Sequence, residues 1–441
     1  MLSKLKNTKS FISDKISTKL AKRKDEFVAP EDKYIVGLDI GTEFVKALVA
    51  KVEGDNIEII GVGRQHQGLH DMQAGAVADI GAVVRNCDAA LNEAEKQSGV
   101  SVRTAVIGIA GELVKGTTIT VKCHRSDPTK QLDLAETEQI IQLVQERAQK
   151  RAKQQLSWEL GGKEVEIRLV NSALVRIDID GYKVTNPIGF QGKEVVVQLY
   201  TAFAPLVHIG ALERVAQELD LDLVAVAAEP FAVARSVTGN EPSNNSDVIL
   251  IDIGGGTTDV AVLNDGGVQG TKMFGIGGRA FTRNIERELG ISFDQAEQLK
   301  VRLDTDDELT VAKRKEIVTA LGKTLEVWVG GIELALSEFD SVENLPHRLL
   351  LCGGGSSLEM IVETLQQGSW YRDLSFSHKP VVQYIKPREV IGVRDSTGLV
   401  NDHTFITAMG LLRVGLDSLQ TSDEQTDTGS IKQKLNRMLQ I

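Results

Sequence analysis

Ile251-Asp252-Ile253-Gly254-Gly255-Gly256-Thr257-Thr258-Asp259 is the stretch on which the fold turns. An apolar run, Val248 to Ile253, carries an aspartate near its end, turns through three glycines and resumes as Val260 to Leu263. Glycines permit positive φ and leave backbone N–H groups uncovered. Such a turn forms an anion-binding nest, to which the hydroxyls of Thr257 and Thr258 add donors. The Asp252 carboxylate cannot bind phosphate directly, but it suits the water shell of Mg²⁺, which bridges phosphate oxygens.

Nearer the start, Gly37-Leu38-Asp39-Ile40-Gly41-Thr42 repeats the design. Tyr34 to Asp39 reads as an apolar strand, and Phe44 to Lys51 pairs with it through the Gly41-Thr42 turn. Alone, this motif is as well explained by a tight β-turn. Two hairpins of one design, roughly two hundred residues apart, indicate a duplicated α/β domain. Facing each other, the two turns would grip a polyphosphate from both sides, with Asp39 and Asp252 holding hydrated Mg²⁺.

The 441 residues exceed what one core usually supports. The net charge of -11 gives no reason to expect nucleic-acid binding. Cys87, Cys123 and Cys352 stand far apart, which fits a reduced, cytosolic compartment and neither a disulfide framework nor a zinc site. No stretch approaches the roughly 20 apolar residues of a membrane span, and no h-region follows the basic start. Membrane contact is therefore expected to be peripheral. Residues 1 to about 26 are basic, with Leu2, Leu5, Ile12, Ile16 and Leu20 near one helical face. For this segment a second lipid contact, a docking helix and disorder all stay open. Residues 417–430 read as a solvated linker. In the last segment, Ile431, Leu435, Met438 and Leu439 share a face beside Lys432, Lys434 and Arg437, a pattern for a short helix in an anionic membrane interface.

The paired motifs resemble the phosphate motifs of the actin, heat-shock chaperone and sugar-kinase superfamily. Three further segments stand in the superfamily's order. Ala228-Glu229-Pro230-Phe231-Ala232-Val233-Ala234 resembles its first connecting helix. Leu351-Cys352-Gly353-Gly354-Gly355-Ser356-Ser357 resembles its adenosine motif. Thr407-Ala408-Met409-Gly410 resembles its second connecting helix, where small residues let two helices cross. The likeness spans residues 33 to about 415.

Within the superfamily the chain is most similar to the bacterial cell-division FtsA family. Gly277-Gly278 through Phe281-Thr282, and Phe293-Asp294 through Ala296-Glu297 and Leu299-Lys300, are similar to that family's segment after the second hairpin. A helix from Leu134 to about Gln154, alternating strands at Ser172–Asp180 and Glu194–Ala204, and Asn186-Pro187-Ile188-Gly189 resemble its small 1C subdomain. The C-terminal amphipathic segment matches its membrane-targeting helix, whereas the basic N-terminal extension departs from the family pattern.

The resemblance implies an α/β, duplicated actin-like ATPase (ribonuclease-H-like) fold, with two lobes around a nucleotide cleft and a small α+β 1C (SHS2-type) insertion. Residues 1–30 would be the extension, 31–110 with 205–247 subdomain 1A, 111–204 subdomain 1C, 248–280 with 346–416 subdomain 2A, and 281–345 subdomain 2B. Residues 417–430 would be the linker and 431–441 the targeting helix. It implies ATP with Mg²⁺ held by Asp39 and Asp252 through water. The phosphates would meet Gly41, Thr42, Gly254, Gly255, Gly256, Thr257 and Thr258. The nucleoside would meet Gly277, Gly278, Glu297, Lys300, Gly353, Gly354, Gly355 and Ser356. Glu229, Asp252 and Thr257 are candidates for a catalytic water network serving a weak Mg-dependent ATPase. Lys46, in the strand after the first turn, is either a phosphate contact or a surface lysine, and Glu297–Lys300 is either a nucleoside contact or an ordinary helical ion pair.

The implied partners are the C-terminal peptide of the tubulin-like FtsZ through subdomain 2B, further copies of the chain in filaments, and the cytoplasmic face of the bacterial inner membrane through 431–441. No nucleic acid is expected. A relative of the pilus protein PilM and a small-molecule kinase are the competing readings. The first would dock a short peptide of a membrane partner, and the second would turn over ATP quickly.

Overall fold

The computed structural model describes residues 33–238, 247–305, 309–339 and 342–423. The basic segment at 1–26 and the tail helix at 431–441 lie outside the described residues. Along the chain, β1 (Tyr34–Ile40), β2 (Phe44–Glu53) and β3 (Asn56–His66) lead to helix α1 (Ile80–Ser98) and strand β4 (Thr104–Ile109). The inserted part follows as β5 (Lys115–His124), α2 (Leu134–Glu159), β6 (Ile167–Ile179), β7 (Tyr182–Val184) and β8 (Glu194–Pro205). Helix α3 (Leu206–Glu218), β9 (Asp222–Ala228) and α4 (Glu229–Thr238) end the first half. The second half opens with β10 (Val248–Ile253), β11 (Thr258–Asn264) and β12 (Gly267–Phe274). Helices α5 (Gly278–Leu289), α6 (Phe293–Arg302) and α7 (Val311–Ser337) come next, then β13 (Arg348–Cys352), α8 (Glu359–Gln367), β14 (Val381–Tyr384), β15 (Val393–Asp395) and α9 (Ile406–Asp423).

The duplication read from the two hairpins is present in the topology. One sheet runs β9-β4-β1-β2-β3-β15 and the other begins β14-β13-β10-β11-β12. In each, an antiparallel meander of three strands is continued by two parallel strands. The central strands are apolar on both faces because helices cover both sides: Ile35, Val36 and Leu38 in β1, and Ile249, Leu250 and Ile251 in β10, are all buried.

The two halves are joined in two ways. Helices α4 and α9 cross so closely that a Cβ on Gly410 would lie 2.3 Å from Ala232 O, and α9 also lies tight on β1, where a Cβ on Gly37 would be 2.9 Å from Ala408 O. The second connection is a sheet seam that sequence patterning did not anticipate. Gly270 and Thr271 of β12 pair with Thr117 and Gly116 of β5, so the inserted strands extend the second half's sheet to nine strands, ending β12-β5-β8-β6-β7. Gly116 makes room for this, since a Cβ there would sit 1.9 Å from Thr271 Oγ1. Helix α2 packs Ile141, Val144, Ala148, Ala152 and Leu156 onto the inserted strands as a core of its own.

Helix α9 continues through Asp423, so residues 417–423, at the head of the segment read as linker, are helical. The buried Asp417 explains part of this: its carboxylate pairs with Arg235 of α4 and, at 3.3 Å, with Arg413 of its own helix. Among the described residues no helix is long and apolar enough to cross a membrane.

Overpacking a tight crossing costs about 1–3 kcal/mol. Gly410→Ala is therefore expected to lower the thermal midpoint. Gly330→Ala, on an exposed stretch of α7 where a Cβ meets nothing within 4 Å, should add up to about 1 kcal/mol of stability and raise the midpoint slightly. Thermal denaturation of both variants checks the pair.

Candidate functional site

The two glycine turns close by the same hydrogen bond. Gly41 N–H donates to Phe44 O at 3.1 Å, and Gly254 N–H donates to Thr257 O at 2.9 Å. The strands they join are in equivalent register, so Asp39 stands opposite Lys46 and Asp252 opposite Asp259. The turns also meet. A Cβ on Gly255 would lie 2.8 Å from Glu43 Cβ, and one on Gly256 would lie 2.5 Å from Thr42 Oγ1. Behind the second turn, Gly278 N–H donates to Gly254 O at 2.9 Å, and a Cβ on Gly277 would come within 2.6 Å of that same oxygen.

Asp39, Glu229, Asp252 and Asp259 are all buried at this junction. One ammonium, Lys46 Nζ, donates to Asp39 Oδ2 at 2.9 Å. Burial works against the Lys46 charge, yet Asp39 and, more weakly, Asp252 hold its pKa above the ordinary value. Burial raises Asp252, opposed by the Thr407 hydroxyl bonded to its Oδ2. Glu229 and Asp259 lie well above the usual carboxylate range, first through burial and then through the neighbouring carboxylates. Oδ1 of Asp259 is buried with no hydrogen-bond partner.

Such a surplus of acidic groups over one lysine fits a cation. Among the described residues no three His, Cys, Asp or Glu side chains converge to ligate a metal directly. A cation here would be held through its hydration shell, the mode Mg²⁺ favours.

Beside this cluster the glycine run of the third motif packs under β10. Gly353 has φ +80°, and a Cβ on it would fall 2.1 Å from Asp252 Oδ1. Ser356 is fully buried and its hydroxyl donates to Gly353 O at 2.7 Å, so it braces the turn. Tyr384 donates to Ser356 O at 2.9 Å and stacks on His403 with ring centroids 4.3 Å apart. On the other side, Lys300 Nζ donates to Glu297 Oε2 at 2.7 Å, Thr282 Oγ1 at 2.8 Å and Gly278 O at 3.1 Å. The Lys300 ammonium is largely buried against Gly278, unlike an ordinary surface pair.

Asp39, Thr42, Glu229, Asp252, the Gly254–Gly256 turn, Gly277, Gly278 and Gly353 are thus brought together, with Lys300 and Glu297 adjoining. Thr258 is the exception. Its hydroxyl donates to Ile276 O at 2.7 Å and accepts from Trp328 Nε1 at 2.9 Å, inside the core of the second half. The cause is strand alternation: Thr258 opens β11 pointing into the core, so Asp259, next along the strand, points to the opposite face, towards the site. The same alternation could have found Asp259, which sequence reading left out of the site. Lys46, for which a surface position was the alternative, lies largely buried in it.

The model of the family described as "Cell division protein FtsA" matches residues 249–410. The cell-division protein FtsA of Pseudomonas aeruginosa is 25% identical over 424 residues, covering 90% of this chain and 93% of that protein. FtsA of Bacillus subtilis is 26% identical over 352 residues, covering 75% of this chain and 76% of its own length. Among solved structures, a chain of the PilM–PilN type IV pilus biogenesis complex superposes with a TM-score of 0.61 at 18% identity, covering 87% of this chain and 98% of that one.

Because the folded Glu229 and Asp259 keep protons that the unfolded chain releases, stability falls as pH rises from the ordinary carboxylate range towards neutrality. Without nucleotide or divalent cation, Glu229→Gln and Asp259→Asn should each flatten the decline in thermal midpoint between about pH 4.5 and 7. Melting curves across that window decide it; wild-type and variant profiles of equal slope would count against the charge cluster.

Proposed function

We propose that the chain is an actin-like cell-division protein of the FtsA kind, an ATP-binding scaffold of the division machinery; the match of residues 249–410 to the FtsA family model and the likeness to FtsA of Pseudomonas aeruginosa over 90% of the chain support this. In this reading it clamps Mg-ATP between its two lobes, assembles into filaments, and tethers FtsZ to the cytoplasmic face of the membrane. The contact of the Gly255–Gly256 turn with Thr42 and Glu43, backed by Asp39 and Asp252, is the observation that carries the nucleotide part.

Gly41, Thr42 and the Gly254–Gly256 backbone take the phosphates, and Lys46 supplies the positive charge nearest them. Asp39 and Asp252 hold the water shell of the cation, with Asp259 next to it. Magnesium bound there would neutralise phosphate charge. The glycine turn at 353–355 takes the nucleoside between itself and the Glu297–Lys300 pair, with Ser356 as its brace. Glu229, at the head of a connecting helix, and Thr257 would order a water, in keeping with slow hydrolysis as a timer. Losing a phosphate would remove one of the contacts that draw the lobes together.

The residues outside the described range carry the membrane part of the reading. The segment at 431–441 lies on anionic lipid, with 1–26 as a second contact, and two weak anchors on one chain bind far better than either alone. Residues 281–345 form the surface for the FtsZ C-terminal peptide.

Calorimetric titration with ATP and Mg²⁺ should give saturable binding, and Asp252→Asn should weaken it roughly tenfold or more. The full chain should sediment with anionic vesicles and bind the FtsZ C-terminal peptide, and removal of residues 431–441 should abolish the first without the second. Rapid phosphate release on adding a small-molecule acceptor, with neither lipid nor peptide bound, would point to a kinase and overturn the scaffold reading.

A further inference from the structure

Arg279 belongs to both glycine turns at once. It is the second residue of α5, and its backbone N–H donates to Gly255 O at 2.8 Å, which makes its main chain part of the second turn. Its side chain crosses to the other lobe. Nε donates to Glu43 Oε2 at 2.6 Å, Nη1 to Leu69 O at 3.3 Å, and Nη2 to Gln67 O and Gly68 O at 3.4 Å each. All three guanidinium nitrogens are engaged, and the residue is buried.

The residues receiving these bonds are those that hold the first turn. Glu43 follows Thr42 directly, and its other oxygen lies 2.7 Å from His66 Nε2. Gln67 is fully buried; its side-chain amide donates to Gly41 O at 3.1 Å and its N–H to Glu43 O at 2.9 Å. Asn86 of α1 fixes Gln67 from behind at 2.7 Å. A continuous path therefore runs from Gly255 through Arg279 to Glu43 and Gln67 and on to Gly41, without passing through either connecting helix. A planar, five-donor fork suits this task, because it serves a carboxylate and several carbonyls in one geometry. Lysine, with one compact charge, could hold the carboxylate or the loop but not both.

We propose that Arg279 is a positioning residue that sets the separation of the two turns and so governs how long a nucleotide stays between them. The proposal rests on the nucleotide reading of the site above. The pair joins the two turns to each other, so losing it eases their parting, and the effect belongs in the release rate.

The test is stopped-flow release of a fluorescent ATP analogue with Mg²⁺ from the full chain, run beside thermal denaturation without nucleotide. Arg279→Ala should release roughly tenfold faster, Arg279→Lys should fall between it and wild type, and Glu43→Gln should also release faster. The double variant Glu43→Ala/Arg279→Ala should be no faster than the quicker single one. Release rates within about twofold of wild type in Arg279→Lys and Glu43→Gln, even with a lowered melting midpoint, would make Arg279 a fold-stabilising residue only and overturn the proposal. Those two milder changes keep the test open if Arg279→Ala does not fold. Failure of the wild-type chain to bind the analogue at all would instead sink the nucleotide reading, and this inference with it.

Discussion

Two backbones approach each other where no side chain could stand. Gly255 and Gly256 rest on Thr42 and Glu43, and a methyl group at either glycine would collide. For that approach to exist, each half must deliver a turn at the end of a buried central strand, which is what the repeated sheet order achieves. Each turn also needs a rigid support. The first has Gln67 and Asn86; the second has the Gly277–Gly278 start of α5 beneath it. The close crossing of α4 and α9 and the β12–β5 seam then restrict how the halves move about that contact.

The cost of the arrangement is electrostatic. Bringing the strand ends together buries four carboxylates around one lysine, and two of them are pushed well above their usual range. An isolated protein gains nothing from an unpartnered oxygen such as Asp259 Oδ1, since buried polar groups are normally satisfied. A cation bound here, as proposed above, would relieve strain of this kind and would tie the stability of the site to its occupancy.

Much of this was readable from residues alone. The aspartate-glycine hairpins were visible as a pair, and the glycine run at 353–355 stood in the expected place. Small residues such as Gly410 marked the helix crossing. What escaped reading has physical causes. Thr258 looked like a donor because composition records a hydroxyl and not its direction, which strand alternation sends into the core. Asp259 and Lys46 sit at the same register position in the two hairpins, opposite Asp252 and Asp39, but one is acidic and the other basic, which hides the equivalence. The Arg279 network joins residues more than two hundred positions apart in sequence, and the β12–β5 seam has only two residue pairs; neither leaves a periodic trace.

A crystal structure of the chain with a non-hydrolysable ATP analogue and Mn²⁺ in place of Mg²⁺ addresses the central claim most directly, because the metal's anomalous signal marks its place. The account predicts one strong peak between Asp39 and Asp252, separated from both carboxylates by water, with phosphates on the Gly41–Thr42 and Gly254–Gly256 turns. A peak elsewhere, or a nucleotide bound away from both turns, would contradict it.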